Sequence, residues 1–176
     1  METFLNICGQ ALGGVAILLG FLSFQMRTRR NLLLFQLSIT VTFILHYLLI
    51  GATVGMAMNG VAFLRNVVYY RRGQVLGKRL VMEPIVFALL LCLLAVWTWD
   101  GWYSVFILLG LAINTFAMAL PDPQRVRMSI LVTSPMVLIY DVFVLSVGGI
   151  VFESVAIGSS VIGLVRMHRT GRQDGC

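Results

Sequence analysis

Seven apolar stretches, at residues 7–25, 31–50, 52–70, 82–99, 102–120, 126–147 and 149–165, take up nearly the whole chain. Each approaches the roughly 20 residues of helix that cross bilayer hydrocarbon. None alternates strictly between polar and apolar, so barrel strands are a poor fit. A helix, by contrast, satisfies its own backbone hydrogen bonds in lipid. The chain is 59% hydrophobic and 11% charged over 176 residues, where a soluble domain carries roughly 25% charge. A soluble fold of this length has too little interior to hide so much apolar surface. The expected class is therefore an all-α integral membrane protein with seven transmembrane helices.

The basic residues orient those helices. Arg27, Arg29 and Arg30 follow the first stretch, and Arg65, Arg71, Arg72, Lys78 and Arg79 lie at the end of the third and in the loop after it. Arg125 and Arg127 fall at the junction of the fifth and sixth, and Arg166, Arg169 and Arg172 follow the seventh, which accounts for all 13 Lys and Arg. Every base lies on one side of a seven-span bundle, so the positive-inside rule puts the N-terminus outside and the C-terminus inside. The net charge of +6 is thus topological, and no basic-aromatic pattern suggests nucleic acid. The N-terminus lacks an early base and a small-x-small cleavage site, so the first stretch is expected to be retained. Expected breaks fall at Gly51, at Asp100-Gly101, at Pro121-Asp122-Pro123 and at Gly148-Gly149.

The chain also reads as a pattern repeated. Residues 5–72 and 102–170 each run as apolar helix, basic loop, apolar helix, glycine turn, small-residue helix and basic end. His46-Tyr47 then matches Tyr140-Asp141, and Gly51 matches Gly148. One helix, over 80–99, separates the units. A three-helix unit is odd, so a single linker helix lets both units run parallel, in a 3+1+3 arrangement within one membrane domain.

Gly20-Phe21-Leu22-Ser23-Phe24-Gln25, the arginine loop, Leu34-Phe35-Gln36, His46-Tyr47, Gly51, Met58-Asn59 and Arg65-Asn66 resemble the YgjV-type bacterial inner-membrane protein family. That resemblance implies a multi-pass protein of the bacterial inner membrane. More distantly, the same stretch is similar to half-transporters of the SWEET and PQ-loop kind. Phe24-Gln25 stands where those units carry Pro-Gln, and Asn59 stands where they carry a cavity-lining Asn. The likeness implies a small polar solute held between two units that rock to alternate access.

Ionisable groups inside a bilayer face a cavity or a partner. Asp141 reads as a solute or proton site, or as an internal tie between helices. His46 closes a stripe with Ser38 and Thr42, and is a cavity wall, a relay or a packed residue. Asn59 shares a smooth face with Gly55, Ala62 and Asn66, suited to a solute or to helix packing. Asn114, Glu153 and Gln25 complete the candidates, each with a bland alternative of packing or solvation at a helix end. Arg65 is expected to snorkel to the basic side, and Tyr69, Tyr70, Trp97, Trp99, Trp102 and Tyr103 to form interfacial belts.

Cys8, Cys92 and Cys176 are far apart, and His46 and His168 fall at opposite faces. No metal or cofactor is expected. Without a nucleophile elbow or paired carboxylates, no enzyme is expected either. A solute carrier and a non-transporting membrane component remain, with lipid, a small polar solute and a second copy of the chain as candidate partners.

Overall fold

The computed structural model describes residues 2–26, 28–72, 79–120 and 122–173, and among them are seven helices and no strand. In chain order these are α1 (Glu2–Gln25), α2 (Arg29–Leu49), α3 (Thr53–Arg72), α4 (Arg79–Trp97), α5 (Ser104–Ala119), α6 (Pro123–Phe143) and α7 (Val147–Gln173). Cys176, Arg27, and the side chains of Gln25, Arg127, Arg166, His168, Arg169 and Arg172 lie outside the described residues. Phe4–Ser23 and Arg29–Leu49 are long and apolar enough to cross a membrane, and four further apolar helices are shorter.

Polarity runs opposite to that of a soluble protein. His46, Asn59, Arg65, Asn66 and Asp141 are buried. Leu18, Val86, Leu93, Val96, Trp97 and Ile162 are exposed. An outward apolar face of this extent needs an apolar solvent or a partner to cover it.

The helices pack around the bundle in the order α1, α2, α3, α5, α6, α7, with α7 returning to α1. Helix α4 lies against α3 and α5. The two triplets share a register. Helices α1 and α5 end at Gln25 and Ala119, and α2 and α6 span Arg29–Leu49 and Pro123–Phe143. Helices α3 and α7 start at Thr53 and Val147, so each of these bounds differs by 94 residues.

The turns after α2 and α6 repeat that spacing bond for bond. Ala52 N–H donates to Tyr47 O, and Ser146 N–H to Asp141 O, each at 2.9 Å. Ile50 to His46 and Val144 to Tyr140 match as well, each at 3.1 Å. The left-handed residue closing each turn is Gly51, at φ 78°, and Leu145, at φ 54°. The expected break at Gly148-Gly149 is therefore displaced, and the partner of Gly51 is Leu145. Ser146 caps α7, its hydroxyl accepting Gly149 N–H at 3.1 Å, which starts the helix before the glycines.

A leucine in left-handed backbone costs roughly 1–2 kcal/mol. Leu145 is 76% exposed, so its side chain contributes little packing in return. Leu145→Gly should therefore raise stability by about 1 kcal/mol, read by thermal unfolding in detergent. A loss of stability would show that the Leu145 side chain holds the turn.

Three arginines fasten the opposite end. Arg29 donates to the carbonyls of Leu120 at 3.3 Å, Met118 at 3.2 Å and Tyr69 at 3.5 Å. A cation on the exposed carbonyls at the end of α5 also suits the helix dipole. Arg30 donates to the Tyr70 hydroxyl, and Arg72 pairs with Glu83 of α4. Tyr69 is wholly buried under Arg72, which stacks on its ring, so it is no belt residue.

Candidate functional site

Two polar clusters occupy the interior, and the candidates divide between them. The first joins the two turns. The Tyr47 hydroxyl donates to Asp141 Oδ1 at 2.6 Å. The Tyr140 hydroxyl accepts Gly55 N–H at 2.8 Å, satisfying a first-turn amide of α3 that has no partner within its own helix. His46 Nδ1 lies 2.7 Å from Gly9 O, and Nε2 lies 2.7 Å from Ser146 Oγ. A carbonyl can only accept, so Nδ1 carries a proton. Asp141 and His46 thus tie α6 and α2 to their neighbours. His46 is wholly buried and stands outside the cavity described next.

Glycine makes this cluster compact. A Cβ on Gly55 would meet the Tyr47 ring at 2.8 Å, and one on Gly149 the Asp141 carboxyl at 2.4 Å. Those pairs, Tyr47 with Gly55 and Asp141 with Gly149, are again 94 residues apart. The same backbone recess therefore holds a phenol ring in one triplet and a carboxyl in the other.

The second cluster surrounds a cavity of about 90 Å³. That is room for several waters or one small solute, since one water needs roughly 10–15 Å³ by this measure. Its wall includes Gln36 and Thr40 of α2, Asn59 of α3, Asn114 of α5 and Ser134 of α6. Tyr47 of α2, Thr133 of α6, Glu153 of α7 and Arg65 of α3 also contribute polar atoms to it.

Much of the wall comes from matching positions of the two triplets. Gln36 and Ile130, Thr40 and Ser134, Phe43 and Val137, and Asn59 and Glu153 all line it, each pair 94 residues apart. Asn59, Asn114 and Glu153 are therefore brought together, Asn59 holding Gly55 O through its amide at 3.0 Å.

Arg65 is the residue whose role the sequence hid. Its side chain is buried at 2% exposure instead of snorkelling. Nη1 donates to Thr115 Oγ1 at 2.8 Å, while Nε and Nη2 donate to Asn66 Oδ1 at 3.1 and 3.0 Å. No acidic side chain pairs with it among the described residues. Asn66 at i+1 was the one available signal, an amide able to hold a guanidinium inside the bundle.

The cavity lies toward one seam between the triplets. At the α1–α7 seam, Gly13 and Gly148 meet backbone to backbone, a Cβ on either reaching the other's Cα at 2.4 Å. At the α3–α5 seam the corresponding residues are Val54 and Ile107, both wholly buried. Larger side chains hold this seam wider, and α4 packs behind it. Asn114 faces the cavity, whereas Gly20, its counterpart 94 residues earlier, is covered by the Phe152 ring, which a Cβ there would meet at 2.4 Å.

Among the described residues no group of three or more His, Cys, Asp or Glu could hold a metal ion. No curated protein and no solved structure matches the chain. A family described as bacterial inner membrane protein, Imp-YgjV, matches residues 7–171. With an interior of polar ties beneath an apolar exterior, the chain belongs to the YgjV-type family of bacterial inner membrane proteins.

Proposed function

We propose that this protein is a multi-pass carrier or facilitator that passes a small polar solute through the cavity between its two three-helix units. The observation that carries this reading is the cavity wall, to which matching positions of both triplets contribute. A binding site shared by two similar, parallel units can open to either face when one unit rocks against the other. The basic residues, all on one side of seven spans, favour an N-terminus outside and a C-terminus inside. Without a nucleotide-binding motif, such a protein works by facilitation or ion coupling.

A non-transporting membrane component is the second reading. The internal bonding of His46 and Asp141 favours it, because polar residues of such a component would pair off throughout the bundle.

Cysteine accessibility separates the two. With Cys8, Cys92 and Cys176 replaced by serine, Asn114→Cys should react with a membrane-impermeant thiol reagent both in spheroplasts and in inverted vesicles. Reaction from one face only, or from neither, would overturn the carrier and favour the non-transporting component.

A further inference from the structure

Two ionisable side chains, one basic and one acidic, line the cavity and do not pair with each other. Arg65 belongs to α3 and Glu153 to α7, and no ion pair joins them. The guanidinium has five N–H donors. Three donor contacts go to Thr115 and Asn66, and Thr115 Oγ1 passes its own proton to Leu111 O at 2.7 Å. Two N–H groups remain on a side chain that bulk water barely reaches, one on each terminal nitrogen. Both are charge-assisted donors of the kind a carboxylate takes.

Glu153 lines the cavity from α7. It occupies the position 94 residues after Asn59, and so lies level with it. Arg65 lies six residues beyond Asn59, about 9 Å further along the helix toward the basic end. Ser134 lines the same wall as Glu153. No cation is paired with Glu153 among the described residues.

We propose that the cavity binds a small zwitterion, an amino-acid-like molecule whose carboxylate meets Arg65 and whose ammonium group meets Glu153. The proposal rests on the reading that this cavity is the solute site. A neutral solute would leave both charges without a counter-charge in a poorly solvated space, which is costly. A lone anion would satisfy Arg65 and face the Glu153 carboxylate. A lone cation would satisfy Glu153 and face the guanidinium. A zwitterion compensates both and adds no net charge to the bundle. Gln36, Asn59 and Asn114 add amide groups to the same wall.

The test is a thermal-shift titration of the purified full chain in detergent with size-matched probes. These are alanine and β-alanine as zwitterions, propionate as the carboxylate, propylammonium as the cation and glycerol as the neutral solute. Stabilisation follows mass action and gives relative affinities. The zwitterions should bind at least about tenfold more tightly than propionate. Glu153→Gln should erase that preference by weakening the zwitterions, leaving propionate unchanged or tighter. Arg65→Gln should lose both, and if it fails to fold, Glu153→Gln still decides.

Glycerol or propionate binding as tightly as the zwitterions would overturn the proposal and leave the carrier reading intact. No stabilisation by any probe at tens of millimolar, with Asn114→Cys reactive from both faces, would do the same. No stabilisation together with one-sided reactivity would remove both readings.

Discussion

Gly13→Ala should destabilise the protein by about 3 kcal/mol, the upper part of the range for adding a methyl group to a packed interior. The new Cβ would stand 2.4 Å from Gly148 Cα, and the obstacle is backbone on both sides. No rotamer change relieves such a clash, so α1 and α7 must separate. Separation would loosen the contacts on either side of it, where Gln10 holds Gly148 N–H at 3.1 Å and Phe152 covers Gly20. Gly14→Ala, one residue along, is the control, because nothing lies within 4 Å of a Cβ there. It should change stability by no more than about 0.5 kcal/mol. Thermal unfolding in detergent reads both variants. Equal effects from the two would mean that the α1–α7 seam is not held by close approach.

That seam shows what the sequence could and could not convey. The apolar runs located the seven helices because the basic and glycine breaks between them are chemically distinct. The small residues of α3 and α7 signalled close packing, which Gly55, Gly148 and Gly149 bear out. The turn itself was misplaced, since a glycine pair reads as a break wherever it stands. The chain instead turns at Leu145, and Gly148 and Gly149 serve contacts with Gly13 and Asp141 that no local pattern encodes. Only the serine preceding them, a helix cap, carried the boundary locally.

The candidate residues illustrate the same limit. Asn59, Asn114 and Glu153 were legible as polar groups in apolar helices, and all three line one cavity. Asp141 and His46 carried the same signal and instead bond to their neighbours. Sequence spacing reports the face of one helix, whereas facing a cavity or a partner depends on the helix opposite. Arg65 is the sharpest instance. An arginine seven residues from the end of α3 reads as a snorkelling cation, yet Thr115 of α5 draws it inward. The resemblance to half-transporters pointed to Asn59, and the cavity adds the charged pair that the resemblance did not imply.

Tyr47→Phe should cost about 2 kcal/mol and Asp141→Ala, which removes the acceptor, at least as much, and the double variant should cost less than their sum. Tyr47 is 2% exposed and Asp141 wholly buried, so neither group recovers water when its partner goes. Hydrogen bonds between membrane helices average about 0.6 kcal/mol in double-mutant cycles and reach about 1.7. The 2.6 Å contact lies at the short end for an O–H donor and involves a carboxyl, which places it high in that range. A coupling of about 1.5 kcal/mol is therefore expected from the four-variant cycle, measured by thermal unfolding in detergent. A coupling near zero would mean that the phenol and the carboxyl keep their places without this bond, each held by its glycine recess at Gly55 and Gly149. The cycle also bears on function, because Tyr47 reaches from this cluster to the cavity wall. If the cluster is the fixed joint between the two triplets, Tyr47→Phe lowers stability while Asn114→Cys still reacts from both faces. Loss of reactivity at one face in a folded Tyr47→Phe variant would instead place the phenol within the moving parts.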